Sequence, residues 1–300
     1  MATYAEPRLA PSLSVLTEPQ TNVKSNVNND VESKFVRNVG FNVNREIGMA
    51  IYTVGGIKGG SGKTTVATNL TVLFALDGRD VLLVDADDQE TATDFTVWRN
   101  KNADGQAGYT AIQLSGDGVR TEIRRLASKY DDIVIDTGGR DTTSQRAAMT
   151  ISDVYLVPFV PRSFDVWTLE RVVKLIEEMR PANPALRSFA FLNRADASGN
   201  DNAGAADYLK DASCITYIDT PLGGRKAFSN AAAEGRAVTE LKRKDAKAEA
   251  EIRALYDFCR NVVNNGTDDV SSTVTSNVIS NVKPNVASHL KSNVAAKESV

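Results

Sequence analysis

Residues 55–65, which read G-G-I-K-G-G-S-G-K-T-T, constrain this chain more than any other stretch. The apolar run Met49-Ala50-Ile51-Tyr52-Thr53-Val54 leads in, and a helical pattern over residues 65–76 leads out. Strand, glycine loop, Lys-Thr and helix in that order form the setting of a P-loop. The glycines let the backbone curl so that successive N–H groups face phosphate oxygens. The helix that follows adds its positive N-terminal end. In this reading Gly59, Gly60, Ser61, Gly62 and Thr65 form the cradle. Lys63 reaches the β- and γ-phosphates, and Thr64 offers its hydroxyl to Mg²⁺.

Several other functions are excluded by composition. The chain has two cysteines, Cys214 and Cys259, far apart and in no metal spacing, so they read as reduced cytosolic thiols. The single histidine, His289, lies in a low-complexity tail, which excludes histidine-based triads and histidine metal centres. No apolar run approaches the length of a membrane span, and the start lacks a signal-peptide pattern. A net charge of -3 gives no global attraction to nucleic acid, so any DNA contact must come from a local patch.

The spacing of elements predicts an α/β fold, a mostly parallel sheet with helices on both faces. Val81-Leu82-Leu83-Val84-Asp85 and Asp132-Ile133-Val134-Ile135-Asp136 are continuous apolar runs, as in strands covered on both sides. Each ends in a carboxylate at the rim where α/β proteins bind ligands. Downstream of a P-loop the second run is a Walker B pattern, with Asp136 on Mg²⁺ directly or through water. Gly138 and Gly139 would let the backbone pass close to the γ-phosphate. Further strands are expected at residues 109–114, 153–161, 188–194 and 214–218. Helices are expected at 90–100, 118–130, 142–151, 165–179 (with Ser163 as N-cap), 201–213 and 239–262.

The chain divides into a low-complexity extension (1–46), an ATPase domain (47–263) and a low-complexity tail (264–300). Both ends repeat Asn-Val, as at Asn22-Val23 and Asn277-Val278, and are too poor in apolar residues to fold alone. They read as disordered extensions or as a shared recognition motif.

Lys58, five positions before Lys63, makes the loop unusual. The run K-G-G-S-G-K-T-T resembles the deviant Walker A motif of the ParA/MinD family of P-loop ATPases. Asp85-Ala86-Asp87-Asp88-Gln89 is similar to that family's second acidic motif, with Asp88 where proline is usual. The resemblance covers about residues 51–262. It implies an ATP-dependent sandwich homodimer in which Lys58 reaches the partner's nucleotide. Asp87 would polarise the attacking water, and Asp85 would sit near the metal. It further implies that Asn193 reads adenine (a turn-forming role is equally open), and that the loop holding Pro221 lies near the base. Arg225 would contribute to DNA binding.

The closest functional match is a ParA-type partition ATPase, cytoplasmic and nucleoid-associated. It would coat double-stranded DNA without sequence preference and be stimulated by a ParB-like partner. Lys242, Arg243 and Lys244 open the last expected helix. They form either a phosphate-binding patch or a solvated face laced with salt bridges. The same ATPase could instead position a protein cargo such as a chemoreceptor cluster or microcompartment. A MinD-like membrane regulator would need a C-terminal amphipathic helix, and this tail is Ser/Asn/Val-rich. A nitrogenase-like iron protein would need core cysteines in a cluster pattern, and a P-loop kinase or ligase would need a substrate insert.

Overall fold

The computed structural model describes residues 48–102, 105–163 and 166–265. The two Asn-Val regions and the side chain of Ser163, with its expected capping role, lie outside these. Eight strands make one sheet in the order β3-β2-β4-β1-β5-β6-β7, with β8 pairing β6, and every pairing is parallel. The strands are β1 (Ala50–Val54), β2 (Val81–Ala86), β3 (Thr110–Gln113), β4 (Asp132–Thr137), β5 (Val154–Phe159), β6 (Arg187–Ala195), β7 (Thr216–Tyr217) and β8 (Leu222–Gly223). The helices are α1 (Lys63–Leu76), α2 (Thr91–Asn102), α3 (Gly118–Leu126), α4 (Thr143–Met149), α5 (Val166–Met179), α6 (Asp201–Lys210), α7 (Lys226–Ala233) and α8 (Ala246–Asn265).

Every residue of β1, β2, β4 and β5 is buried, which explains their unbroken apolar runs. Alternate side chains serve opposite faces. Ala50, Tyr52 and Val54 pack with α1, α7 and α8 on one side. Ile51 joins α3 and α4 on the other, and the β5–β6 end of that face is covered by α5 and α6. The central strand β1 lies between β4 and β5. From it the chain winds outward in both directions, so a crevice opens above its carboxyl end.

The last expected helix breaks in two. Val238–Glu240 is a single 3-10 turn, Leu241 is extended, and α8 begins only at Ala246. Two interactions cause the break. Glu240 binds the buried Arg99 through two oxygens at 2.7 and 2.9 Å and accepts the Ala237 N–H at 2.8 Å, which pins the turn to α2. Asp245 then caps the new helix, accepting the Ala248 N–H at 3.1 Å. Lys242, Arg243 and Lys244 therefore lie in an exposed connection, not on a helix face.

Candidate functional site

The loop between β1 and α1 curls through left-handed glycines. Gly60 has φ 72° and Gly62 φ 87°, conformations costly to any residue with a side chain. Gly62 is also the N-cap of α1, so the first helical N–H groups and the loop N–H groups converge. A side chain there would meet the Asn193 amide at 2.3 Å. Asn193, at the end of β6, donates its amide to the Ser61 carbonyl at 2.6 Å and so ties the sheet to the loop. On the other flank, the Gly56 N–H donates to Gln145 Oε1 at 3.1 Å, which also takes the Thr137 hydroxyl at 3.0 Å.

Three loops and an arginine enclose a cleft of ≈ 580 Å³: residues 59–60 and 62–65, residues 87–89, residues 138–140, and Arg194, with Ser61 on the neighbouring pocket instead. Lys63 is buried and donates to the Lys58 carbonyl at 3.1 Å. Burial lowers its pKa, while Asp136 and Asp87 pull it back up. Lys58 is not among the residues that line this cleft; it lines a neighbouring pocket with Phe159, Val160 and Thr168.

Asp85 and Asp136 are register partners on neighbouring strands. Their surroundings differ. Asp85 is engaged on both oxygens. Oδ2 accepts the Thr93 N–H at 2.8 Å and the Thr93 hydroxyl at 2.9 Å, and Oδ1 accepts the Asp87 N–H at 3.3 Å. That arrangement anchors α2 and shapes the Asp87 loop. Asp136 is fully buried, and neither carboxylate oxygen has a hydrogen bond of good geometry, although the Thr64 hydroxyl lies close enough to act on it. Burial pushes its pKa up to about 7, the nearby Thr64 hydroxyl pulls it down, and Asp85 raises it again. An orphaned buried carboxylate beneath a P-loop, beside Thr64, fits a divalent cation. Thr64 and Asp136 are thus the pair able to hold Mg²⁺.

A smaller cavity of ≈ 270 Å³ shares Gly62, Thr65 and Arg194 with the cleft and contains Asn193 and Phe228. Its apolar and amide walls suit a planar ring. Pro221 is not part of it. Pro221 is exposed and lines a separate cavity of ≈ 440 Å³ with Asp196, Asp219 and Glu251. Arg225 is drawn inward: its guanidinium pairs with Glu251 of α8 at 2.5 to 3.1 Å, and Glu251 also takes the Gly223 N–H at 3.0 Å. A phosphate would have to displace that carboxylate. Lys244 donates to the Thr239 carbonyl at 2.5 Å and lies 3.7 Å from Glu249.

Sequence reasoning missed Arg140, Arg194, Thr93 and Gln145. Arg140 and Arg194 each directly follow a motif residue (Gly139 and Asn193), which was the available signal. Thr93 and Gln145 have no local signature, because their partners are far away in sequence.

A glycine cradle on a helix N-terminus, with a buried lysine and an unpaired acid at the neighbouring strand end, defines a P-loop nucleotide-binding domain. A family model described as the CobQ/CobB/MinD/ParA nucleotide binding domain matches residues 52–295, and the chain belongs to that family. It is 28% identical over 206 residues to the maintenance of carboxysome distribution protein A of Halothiobacillus neapolitanus, covering 68% of this chain and 93% of that protein. It is 24% identical to the protein ParA of Rhizobium radiobacter, covering 73% and 99%. Among solved structures, apo McdA of Cyanothece superposes with a TM-score of 0.60 at 19% identity, over 70% of this chain and 98% of that one. A Borrelia burgdorferi putative plasmid partition protein bound to AMPPNP gives 0.56 at 19% identity, over 71% and 99%. The parallel P-loop fold expected from sequence is therefore the fold observed. No helix among the described residues is long and apolar enough to cross a membrane.

Proposed function

We propose that this chain is an ATP-hydrolysing positioning ATPase that works as a face-to-face homodimer on non-specific double-stranded DNA. The observation that carries the reading is the division between the two loop lysines. Lys63 lines its own cleft, whereas Lys58 lines a different pocket beside it. A second lysine of the phosphate loop that does not line its own cleft suits a contact with the nucleotide of a second copy.

In this reading residues 59–65 hold the phosphates and the Asn193–Phe228 cavity holds the base. Bound Mg²⁺, held by Thr64 and Asp136, would supply counter-charge to the phosphates. Asp87 orients the attacking water, and Lys63 with Lys58 of a second copy opposes charge building on the γ-phosphoryl. Lys242 and Arg243 are the exposed cations assigned to DNA phosphates. A ParB-like protein stimulates hydrolysis, and the cargo is a plasmid or chromosome. The carboxysome name of the Halothiobacillus relative favours a second reading, in which the same cycle positions a protein assembly.

Binding to a random-sequence duplex, measured with ATP, ADP or no nucleotide across a salt series, tests the proposal. Binding should require ATP and vanish in Lys58→Ala and Lys63→Ala. It should weaken with a log–log salt slope of roughly −0.9 per phosphate neutralised. Lys242→Ala with Arg243→Ala should flatten that slope by about 2 per subunit. ATP-driven dimerisation without DNA binding at any salt would overturn the DNA step and favour a protein scaffold.

A further inference from the structure

The loop after β4 is braced at both ends, and one cation is held between the braces. At the near end Gly139 packs directly on the P-loop: a Cβ there would lie 2.7 Å from the Gly59 Cα and 2.8 Å from its nitrogen. A Cβ on Gly138 would meet Asp87 Oδ1 at 3.1 Å. At the far end Asp141 is gripped on both oxygens by Arg146, at 2.7 and 2.6 Å, and Arg146 also reaches Glu178 at 2.7 Å. Thr142 caps α4 by accepting the Gln145 N–H at 3.1 Å. Between these anchors Arg140 is exposed and lines the phosphate cleft.

Arg140 has no ion pair among the described residues. Its chain neighbour Asp141 is already taken by Arg146. Arg79, Arg99 and Arg225 elsewhere each hold a carboxylate. An arginine without a counter-ion, on a braced loop in an anion cradle, is a charge kept for a ligand.

We propose that Arg140 is a catalytic arginine that acts on the γ-phosphoryl in the chain's own cleft. This rests on the ATP-hydrolysis reading and deepens it. In hydrolysis the water oxygen bonds to the γ-phosphorus. The bridging P–O bond breaks, its electron pair leaves on the β-phosphate, and the water's proton ends on the released phosphate. Arg140 gives and takes no proton. Its planar guanidinium opposes negative charge on the γ-phosphoryl oxygens and the bridging oxygen, a geometry that an ammonium cannot reproduce. Arg194 stands on the other wall, shared with the base cavity, and belongs to nucleotide binding. An activating partner then need not supply an arginine.

The test compares wild type with Arg140→Ala, Arg140→Lys and Lys63→Ala. A fluorescent ATP analogue reports binding. Single-turnover phosphate release reports hydrolysis, and retention of ADP with aluminium fluoride reports transition-state trapping. For Arg140→Ala we expect analogue affinity within about 3-fold of wild type, phosphate release lower by roughly 10²-fold or more, and trapping lost. Arg140→Lys should not restore the rate, which separates fork geometry from charge alone. Phosphate release from Arg140→Ala within about 2-fold of wild type overturns the arginine role alone. Equal loss of binding and rate also overturns it, in favour of a ground-state contact. A wild type that binds nucleotide but turns over no faster than Lys63→Ala brings down the hydrolysis reading and the arginine role together.

Discussion

The two ends of β4 bury one carboxylate each and use them in opposite ways. Asp132 begins the strand, 1% exposed and ion-paired to Arg79. Asp136 lies near its other end, 0% exposed and with no hydrogen bond of good geometry on either oxygen. Burial raises both, Asp132 to about 6 and Asp136 to about 7. Four residues of strand separate them by roughly 13 Å. The Asp132 end has its cation built in and needs nothing from outside. The Asp136 end is buried with no ion pair in contact, only the Thr64 hydroxyl and the charge of Lys63 nearby, so it has room to take further compensation from a ligand. Identical chemistry at equal burial thus becomes structural or functional according to what the neighbouring elements provide.

The strongest way to break this comparison is to neutralise Asp136. Asp136→Asn should lower hydrolysis by roughly 10²-fold or more and weaken Mg²⁺-dependent nucleotide binding. The melting temperature without nucleotide should hold or rise, because an unpaired buried charge is removed. Phosphate release and a thermal melt check both halves. A melting point several degrees lower would mean that Asp136 is structurally satisfied, and the contrast between the strand ends would fail.

The next effect is the mirror image. Asp132→Ala leaves Arg79, half-buried at that edge, with only the Asp131 and Gly48 carbonyls at 2.9 and 3.3 Å. Removing one member of a pair buried on one side only should cost about 1–3 kcal/mol, less than the full cost for a wholly buried pair. Denaturant unfolding should show that loss, while nucleotide affinity in the folded fraction stays within about 2-fold because the phosphate cleft lies beyond the opposite strand end. A selective loss of nucleotide affinity would show that the two ends are coupled.

Asp85 sharpens the contrast, since it neighbours Asp136 in register yet has three donors from its own chain. Asp85→Ala should cost about 1–2 kcal/mol by stripping an acceptor from the first turn of α2. It should also loosen the Asp87 loop, so that hydrolysis falls more than binding. If Asp85 were instead a direct metal ligand, Mg²⁺ affinity would fall as far as in Asp136→Asn.

These cases also mark what the sequence could disclose. The P-loop and the acid-terminated strands were legible because their meaning lies in spacing: glycines at fixed offsets from Lys63, and apolar runs ending in Asp85 and Asp136. The contacts that sequence could not disclose belong to residues with a partner distant in the chain. Arg225 looked like a DNA cation until Glu251, 26 residues on, claimed it. Glu240 looked helical until Arg99, 141 residues away, pinned it into a turn. Pro221 lies two residues before Gly223, which lines the base cavity, and is itself exposed on a neighbouring cavity. Asp245 did have a local signature, an Asp three residues before Ala248, and the preceding Lys-Arg-Lys run masked it. Charge runs invite continuous helix assignments, whereas capping residues end them.

The smallest effect tests the Asp132 end by itself. Its pair with Arg79 sends two signals of opposite sense: the guanidinium pKa is raised, as pairing requires, yet burial still lifts the carboxylate to about 6. Both hold if the carboxylate loses more by leaving water than it regains from Arg79. We give the burial cost the greater weight, because Asp132 is the more enclosed partner. A carboxyl whose folded pKa lies above its unfolded value near 3.9 binds its proton more tightly when folded. Its contribution to stability is then greatest below about pH 4, falls as pH rises toward 6, and is flat beyond. The unfolding free energy of wild type minus that of Asp132→Asn, measured from pH 4 to 8, should therefore decline by about 1–3 kcal/mol between pH 4 and 6. Subtraction removes every other titrating group common to both proteins. A difference that rises across that window would mean that the carboxylate is held below its unfolded value, that Arg79 more than repays burial, and that the entry of β4 is a net stabilising ion pair.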